Sequence, residues 1–584
     1  MDHSDVCIYT CLFLMIICAT SWYPLRKSST ERRLPPSPKP DMLIGHMRSL
    51  MGVTDEPKAY MKWSKELRSD IISITLPPGK TLVILNSVED ANELLNKRSS
   101  IYSDRAQTPM ITSEKLLGWG NNTGMIRYGD RWRAQRRMTH ENLHKKASEK
   151  LWPTITRQAR SSLVRLLDEP SNFSKEVRRM VGSTLLSVVY GYEVRSSSDE
   201  LVEVVEAAVA GFSQAAMISN YYVNVIPWLQ HIPDWFPGME WKRKTNVWRS
   251  QTEGMLNVPF EWTRTQMSNG NAPPSMLTKL LSKCTGEETD EDMDSIRWAT
   301  GTLFAAGTDT SAATILVFVM AMAMHPKIQA KAQAEIDSVL QGARLPEMSD
   351  RESMPYMGCI IKEVFRWRHT VPLGKFHSTL RALENLGSAP GLAIVGEHSR
   401  AFGVTLGSAR GMLPTARRAI RIRRILTRRF PKLEYFRALQ SFGGARVPHV
   451  STQDDTYKGY FIPSGTLVIS NIWAMNNDER IYPTPEEFDP DRFLDLSVPT
   501  PPTFGFGRRS CPGLHLAEAT VFIFASTLLS VFTIGPSLDS NGNPIPLTGE
   551  MGPNLVVTQP LPYECRIAPR SKDHEKTIRE LMDR

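Results

Sequence analysis

Residues 504–513 read Phe-Gly-Phe-Gly-Arg-Arg-Ser-Cys-Pro-Gly and are the most informative stretch of the chain. They place Cys511 in a tight glycine-rich turn, directly before the apolar segment 514–531. Glycines allow unusual backbone dihedral angles and close approach to a flat ligand. A helix that starts after the turn would aim its amides at the sulfur and lower the thiol pKa. Such a thiolate suits haem iron, because a strong electron donor favours O–O cleavage; a buried core thiol is the alternative interpretation.

The composition describes a large globular protein. The chain has 584 residues, of which 41% are hydrophobic and 22% charged, which is enough apolar content for a large core. Its seven cysteines show neither metal-finger spacing nor a disulfide framework. This pattern argues against a zinc-finger protein or a disulfide-rich secreted domain and favours a reducing compartment.

The apolar segment 6–23 is just long enough to cross a bilayer. Two aspartates precede it and four basic residues follow it, so the positive-inside rule leaves the bulk of the chain in the cytosol. We therefore expect a single-pass membrane anchor over residues 1–24 and localisation to the endoplasmic reticulum membrane. A cleaved signal peptide is the alternative, but Tyr23-Pro24 and the basic run fit a cleavage site poorly. The basic and proline-rich residues 25–40 would form a stiff linker.

A second apolar stretch, 296–324, ends at the helix stop His325-Pro326. Its length would allow another membrane span, but Asp309 in its middle would be costly at bilayer depth. A long core helix is the better interpretation. Residues 306–311 of this stretch read Ala-Gly-Thr-Asp-Thr-Ser, and their hydroxyls could simply bond back to the helix and bend it.

Taken together, residues 504–513 and 306–311 resemble two motifs of the cytochrome P-450 family. The first fills every fixed position of the family's haem-binding loop, F-G-x-G-x-R-x-C-x-G, and the second matches A/G-G-x-D/E-T-T/S on the helix that crosses the distal haem face. The resemblance implies haem b, which is iron protoporphyrin IX, as the cofactor and Cys511 as the axial ligand of its iron. Phe504 and Gly513 would belong to the same cofactor-binding loop.

The resemblance also implies roles for three residues of the distal helix. Gly307 would leave room for dioxygen beside the iron. Thr310 would donate a hydrogen bond where oxygen is activated, and Asp309 would relay protons inward from solvent. The last two are the implied catalytic residues.

Trp132 and Arg136 match the W-x-x-x-R of the family's third lettered helix, a spacing that puts the two side chains one turn apart. The resemblance implies that they contact a haem propionate together with Arg509, whose planar guanidinium suits a carboxylate. His449 would lie beside the same position. Without the other motifs, an amphipathic basic surface helix would explain Trp132 and Arg136 equally well.

Glu363 and Arg366 form an E-x-x-R pattern, whose usual explanation is a surface ion pair on one helix face. Residues 488–493 resemble the family's P-x-R-F segment. The resemblance implies that Arg492 of this segment joins Glu363 and Arg366 in a buried network. Its role would be structural, because removing one partner would leave a buried charge unpaired.

One segment departs from the family pattern, which would pass from 372–374 directly to 447–450. Residues 375–446 lie between and carry 14 basic and 3 acidic side chains, a net charge of +11, whereas the whole chain is +9 and the remainder therefore −2. The basic pI thus gives no sign of nucleic-acid binding. Two explanations stay open: a basic loop that binds acidic membranes or a reductase, or a translated intron, whose splice sites the codons for Gly374-Lys375 and Ala445-Arg446 could contain.

The resemblance implies a mainly α cytochrome P-450 fold with a small β-rich subdomain, preceded by one N-terminal transmembrane helix. The residues themselves predict helices around 246–340 and 351–368 and strands near 457–470. We assign residues 41–570 to the monooxygenase domain, with 375–446 as an anomalous insert, and residues 571–584 to a charged tail.

The implied function is a haem-thiolate monooxygenase of fungal microsomal secondary metabolism, which residues 457–466 and 471–478 also resemble. It would oxidise an apolar small molecule, with a terpenoid as the first candidate and indole alkaloids and polyketides next. Electrons from NADPH would arrive through NADPH–cytochrome P-450 reductase, with cytochrome b5 as a further candidate donor. A haem-thiolate isomerase or dehydratase and a non-catalytic haem protein are the alternatives, and Asp309-Thr310 argues against both. The loop 103–122, with Met110 and Trp119, is expected to line the substrate pocket.

Overall fold

The computed structural model describes residues 33–371 and 448–581, apart from gaps at 42–43, 51–52, 54, 77–78, 195–198, 217–220, 225, 237 and 553–556. The predicted anchor 1–24, residues 25–32 of the linker, the segment 375–446 and the last three residues of the tail lie outside the described residues.

In the described part of the chain the α-helices are α1 (Met47–Leu50), α2 (Glu56–Leu67), α3 (Val88–Ala91), α4 (Pro109–Thr112), α5 (Asp130–Leu143), α6 (Lys145–Glu149), α7 (Trp152–Asp168), α8 (Phe173–Tyr190), α9 (Glu200–Ala215), α10 (Glu240–Ser268), α11 (Met276–Leu281), α12 (Asp290–Met324), α13 (Pro326–Leu340), α14 (Pro355–Trp367), α15 (Ile472–Asn476), α16 (Leu514–Val531) and α17 (Lys572–Arg579). A π-helical turn, Asn92–Lys97, continues α3.

The strands are β1 (Ile71–Leu76), β2 (Lys80–Leu85), β3 (Asp104–Arg105), β4 (His449–Val450), β5 (Asp455–Tyr457), β6 (Tyr460–Ile462), β7 (Leu467–Ser470), β8 (Phe532–Pro536) and β9 (Cys565–Pro569). Five of them form a sheet in the order β1-β2-β7-β4-β3, in which β2 and β7 run parallel and the other neighbours antiparallel. β5 pairs with β6 and β8 with β9. A mainly helical chain with small sheets is the fold class that the sequence predicted.

The long helix α12 has clear start and stop signals. The Thr289 side chain caps its first turn by accepting a hydrogen bond from the amide of Asp292 at 3.2 Å. The helix ends at His325, and Pro326 opens α13 at the position where a proline needs no amide donor. The boundary at His325-Pro326 is therefore the one that the sequence predicted.

Two described helices, α12 and α16, are long and apolar enough to cross a membrane. In the structure 72% of the most apolar window of α12 and 78% of that of α16 are buried inside the protein. Both pack into one hydrophobic core with α7 and α8. Each fully buried leucine or phenylalanine in that core contributes about 1.5–3 kcal/mol relative to an exposed one. The core-helix interpretation of 296–324 is therefore confirmed.

The predicted helical region 246–340 is divided into four helices, α10 to α13. The break after α10 falls at Asn269-Gly270, where Gly270 has a φ of +73°, a conformation that glycine adopts at little cost. α14 begins at Pro355, four residues later than predicted, because a 3-10 turn occupies Met348–Ser353. The strands predicted near 457–470 are present as β5, β6 and β7.

Candidate functional site

The loop 504–513 is a closed turn that presents Cys511 directly before α16. The Cys511 amide donates to the Phe504 carbonyl at 2.8 Å and so joins the two arms of the turn. Gly505 and Gly507 have φ angles of +74° and +60°. Because only glycine adopts such angles at little cost, the sequence of this loop is tied to its shape.

The surroundings of the Cys511 sulfur act in opposite directions on its pKa. The side chain is exposed, yet enough protein surrounds the sulfur for burial to raise the pKa of the thiol. The two observations are compatible, because the side chain keeps solvent-accessible surface while many protein atoms lie near its sulfur. A hydrogen bond from the Gly513 amide and the positive charge of Arg136 lower the pKa of Cys511. A bound metal cation would complete the stabilisation of the thiolate.

Two partly buried arginines, Arg136 and Arg509, flank the cysteine, and in the described part of the chain neither has a carboxylate within ion-pair distance. Arg509 donates instead to the carbonyls of Ser103, Thr123 and Ile126 at 2.8–3.1 Å. Burial lowers the pKa of Arg136 and brings that of Arg509 to about 10. Cations held without a counter-ion fit an anionic ligand, and a haem propionate is such a ligand.

Trp132 and Arg136 lie one turn apart on α5, as their spacing predicted. The Trp132 ring is buried, and the Arg509 guanidinium lies over it at 4.5 Å from the ring centroid. Arg136 reaches the Ser510 hydroxyl at 3.5 Å. The structure thus brings Trp132, Arg136 and Arg509 together beside the Cys511 loop.

His449 lies in β4, where it pairs with Arg105 of β3 and with Val468 of β7. Its Nδ1 atom is 2.6 Å from the carbonyl oxygen of Tyr102. β4 therefore holds the histidine between β7 and the edge strand β3, next to the chain segment that also supplies Ser103 to Arg509. Its contact with a propionate stays a prediction.

On α12, Thr310 and Thr308 bond back to the helix. Thr310 Oγ1 donates to the Ala306 carbonyl at 2.8 Å, and Thr308 Oγ1 donates to the Phe304 carbonyl at the same distance. Such bonds locally bend a helix, which is the alternative that the sequence left open for these hydroxyls. Since the Thr310 hydroxyl is partly exposed, its oxygen can still accept a hydrogen bond from a ligand.

Gly307 lies where α12 packs against α8. A Cβ atom added at Gly307 would stand 3.0 Å from Cδ1 of Leu185, closer than ordinary packing allows. Ala306 is exposed in this turn, whereas Ala305 and Thr308 are buried. Sequence reasoning did not single out Ala306, although it occupies the A/G position of the motif. The contact of Gly307 with the cofactor stays a prediction. The close packing of α12 against Leu185 of α8 already explains why this position holds a glycine.

Asp309 belongs to a cluster of charges that comes from three helices. Its carboxylate lies 3.6 Å from Nη1 of Arg178 on α8. Burial raises the pKa of Asp309 and Arg178 lowers it. Burial also raises the pKa of Glu206 on α9; the charge of Arg178 lowers this pKa and that of Asp309 raises it. Arg178 also donates to the side chain of Gln559. Arg178 and Glu206 had no sequence signal, because they are more than 100 residues away from Asp309.

Glu363, Arg366 and Arg492 form a buried ion network. Arg366 holds Glu363 with two bonds of 2.6 and 2.7 Å, and Arg492 Nε lies 3.4 Å from the same carboxylate. The side chains of Glu363 and Arg366 are fully buried. Arg366 also donates to the carbonyls of Asn476 and Pro485. The burial excludes an ordinary surface ion pair.

Met110 and Trp119 are buried rather than open to a pocket. The Trp119 ring stacks on Phe212 at 4.3 Å between centroids, and its Nε1 donates to the Thr252 hydroxyl at 2.8 Å. These contacts attach the loop 103–122 to α9 and α10. The expectation that these two side chains line a substrate pocket is therefore not met, because both are used for packing.

A family model described as Cytochrome P-450 matches residues 35–387 and 434–566 of the chain. The interruption of that match lies inside the segment 375–446, which the sequence identified as anomalous.

Fungal monooxygenases are similar over nearly the full length. The chain is 33% identical to cytochrome P-450 monooxygenase ple1 of Rhodocybe pseudopiperita, an alignment that covers 96% of this chain and 93% of that protein. It is 30% identical to cytochrome P-450 monooxygenase ARMGADRAFT_974139 of Armillaria gallica, with 98% of both chains covered. Tryptamine 4-monooxygenase of Psilocybe cyanescens is 28% identical, with coverage of 97% and 99%.

Among solved structures, a zebrafish cytochrome P-450 determined with progesterone superposes with a TM-score of 0.62 at 21% identity. The superposition covers 88% of this chain and 100% of the zebrafish chain. At that identity the likeness supports the fold alone.

Proposed function

The chain belongs to the cytochrome P-450 family, and we propose that it is a membrane-bound monooxygenase that oxidises an apolar small molecule in fungal secondary metabolism. One observation carries the proposal: the glycine-rich turn presents Cys511 beside Arg136 and Arg509, two partly buried cations that lack a carboxylate partner among the described residues. This arrangement fits a flat, dianionic haem that is held by its iron at one point and by its propionates at its edge.

In this proposal the bound haem supplies oxygen activation and one-electron chemistry. Cys511 would ligate the iron, while the Gly513 amide and the first turn of α16 temper the charge on its sulfur. Trp132, Arg136 and Arg509 would orient the propionates. These residues together would hold the cofactor at the loop that precedes α16.

Protons would reach the site through Asp309 and Thr310. Because burial raises the pKa of Asp309, its carboxyl group holds a proton closer to neutral pH than an exposed aspartate does. Arg178 opposes this effect and so balances the charge of the carboxylate. The Thr310 hydroxyl donates its hydrogen to the Ala306 carbonyl, and its oxygen can accept a hydrogen bond from a proton donor beside α12.

Electrons from NADPH would arrive through NADPH–cytochrome P-450 reductase, with cytochrome b5 as a further donor. Two exposed arginines support this assignment: Arg508 lies on the Cys511 loop, and Arg133 lies on the neighbouring helix α5. Arg508 donates to the Tyr128 hydroxyl, and both Arg133 and Arg508 lie over the Tyr128 ring. A positive surface of this kind favours an acidic partner.

The chain would lie on the endoplasmic reticulum membrane, with residues 1–24 as its anchor and the catalytic domain in the cytosol. An exposed aromatic surface supports a membrane contact of the folded domain: Trp228 and Trp235 are 63% and 77% exposed, and Phe236 lies beside them. Arg243 and Lys244 are exposed nearby on α10. Tryptophan with basic neighbours is typical of the membrane–water interface.

The proposed substrate class is a terpenoid. A relative named for a reaction on tryptamine is also similar over nearly its full length, so an indole amine is the second class to test.

The proposal is tested with the full chain expressed from cDNA, which also shows whether residues 375–446 are retained. The reduced protein should give the red-shifted carbon monoxide band of a thiolate ligand, and Cys511→Ser should lose it. With reductase, NADPH and labelled dioxygen, a terpenoid and indole panel should yield a product that contains the label. A thiolate band with an unlabelled product would favour an isomerase or dehydratase, and the absence of the band would reject the haem-thiolate assignment.

A further inference from the structure

The short π-helical turn Asn92–Lys97 lies directly against the Cys511 loop. Its wider register is shown by the Arg98 amide, which donates to the Glu93 carbonyl at 3.1 Å. Such turns are rare and cluster at functional sites, because one extra residue per turn re-aims the side chains. Leu94 and Leu95 of the turn are buried in the same apolar cluster as Phe506 of the loop. These two leucines anchor the turn in the core, while Asn96 and Lys97 lie on its exposed side.

The turn aims Asn96 at the tip of the loop. The side-chain oxygen of Asn96 accepts a hydrogen bond from the amide of Gly507, although the two residues are 411 positions apart in the sequence. The side-chain nitrogen of Asn96 donates to the side-chain oxygen of Asn92 at 2.5 Å. This second bond fixes the orientation of the Asn96 amide, so that its oxygen faces the loop.

Gly507 is also in contact with the backbone of the turn. A Cβ atom added at Gly507 would collide with the carbonyl oxygen of Leu95, and the φ of +60° already disfavours a side chain there. Two neighbouring residues of the turn thus contact the loop tip, Leu95 with its backbone carbonyl and Asn96 with its side chain. Gly507, where both contacts occur, lies between Phe504 and Cys511, the two residues whose backbone hydrogen bond closes the loop.

The other attachments of the loop act at different points. Arg509 donates to three carbonyls, and Phe504 packs its ring against Phe365 at 5.2 Å between centroids. Among the described residues, Asn96 is the side chain that receives the Gly507 amide. Without Asn96 the tip would lose its hydrogen bond while the two ends stay attached, and the position of Cys511 between them would be less restricted.

We propose that Asn96 is a positioning residue for Cys511 and that the π-helical turn serves to present it to the loop. The inference rests on the proposed function in one respect, namely that Cys511 is the iron ligand. A loop that is held less firmly lets the sulfur move away from the iron and take up a proton. Asn96 acts through the Gly507 backbone, without touching the cofactor.

The test follows the carbon monoxide complex of the reduced full chain. Asn96→Ala should convert from the red-shifted thiolate band to the shorter-wavelength band roughly threefold to tenfold faster than the parent, which is the factor that the loss of one hydrogen bond corresponds to. Asn96→Asp keeps an acceptor for the Gly507 amide and should restore most of the parent rate. Lys97→Ala is the matched control, because Lys97 lies in the same turn with 74% of its side chain exposed and pairs with Glu93.

The outcomes separate the two proposals. A parent protein that never shows the thiolate band would reject the haem-thiolate function itself. A parent that shows it, together with an Asn96→Ala variant that is folded and converts at the parent rate, would overturn only the role of Asn96. If Lys97→Ala accelerated the conversion as much as Asn96→Ala, a general effect of the turn would replace the specific hydrogen bond.

Discussion

The Nη1 atom of Arg178 lies 3.6 Å from a carboxylate oxygen of Asp309 and so joins α8 to the residue proposed to relay protons. Asp309 is partly buried, and its pKa is the result of burial, which raises it, and of Arg178, which lowers it. The same arginine also lowers the pKa of Glu206. Arg178 therefore sets the charge of this cluster.

Replacing Arg178 with alanine should move the pH dependence of coupled turnover to higher pH. The sign follows from the removal of a cation that stabilises the Asp309 carboxylate, because Asp309 then keeps its proton to higher pH. The measurement is the ratio of product formed to NADPH consumed across pH. Arg178→Lys keeps the charge and should retain the parent profile. An unchanged profile in Arg178→Ala would show that Asp309 titrates independently of this contact.

Arg366→Met should lower the free energy of unfolding by about 3–5 kcal/mol, since the buried Glu363 carboxylate loses its two shorter bonds and keeps only the longer contact with Arg492. Urea unfolding of the haem-loaded protein measures the change. The exposed pair of Lys62 and Glu66 is the comparison, and Lys62→Met should cost less than about 1 kcal/mol. Equal effects of the two substitutions would contradict the buried network.

Arg509→Met should release haem at least about tenfold faster than the parent, because the variant loses a buried cation proposed to hold a propionate. Transfer of haem to an apoprotein acceptor measures the rate. Arg137→Met is the control, as Arg137 is an exposed arginine on α5 one position from Arg136. Equal release from both variants would remove Arg509 from the proposed propionate site.

Gly307→Ala should destabilise the protein by about 1–3 kcal/mol, because the new methyl group would press on Leu185. In a Leu185→Ala background, which is itself less stable, Gly307→Ala should cost less than in the parent because the space is open, and thermal unfolding of the two single variants and the double variant measures this difference. Ala306→Val, one position earlier on an exposed surface, should leave stability nearly unchanged and instead weaken the binding of an imidazole ligand to the haem. If Gly307→Ala affected imidazole binding alone, the glycine would serve the cofactor pocket and not helix packing.

Replacing Trp228 and Trp235 with serine should reduce the depth at which the folded domain contacts anionic vesicles, because both rings are largely exposed. Quenching of a fluorophore attached near α10 by brominated lipids reports this contact separately from the N-terminal segment. Leu496→Ser is the matched control, since Leu496 is 92% exposed elsewhere on the surface. Quenching unchanged by the tryptophan substitutions would remove this surface from the membrane contact.

Three features could be predicted because each depends on residues that are close together in the sequence: the cysteine loop, the long helix α12 and the E-x-x-R pair. In 504–513 the glycines take the left-handed angles that the turn requires, and in 290–324 the helix starts at a capping threonine and stops before a proline. The class of the fold and the cysteine proposed as the iron ligand follow from such local patterns, which depend on backbone geometry over a few residues.

Contacts between distant segments could not be predicted in this way. Arg178 meets Asp309, Asn96 meets Gly507 and Leu185 meets Gly307 only after the helices pack. Trp119 likewise proved to be a packing residue because its partners, Phe212 and Thr252, come from two other helices. Local residues therefore establish which chemistry the chain carries. Packing establishes which side chains support those residues, because burial and charge partners arise from segments that are far apart in the sequence.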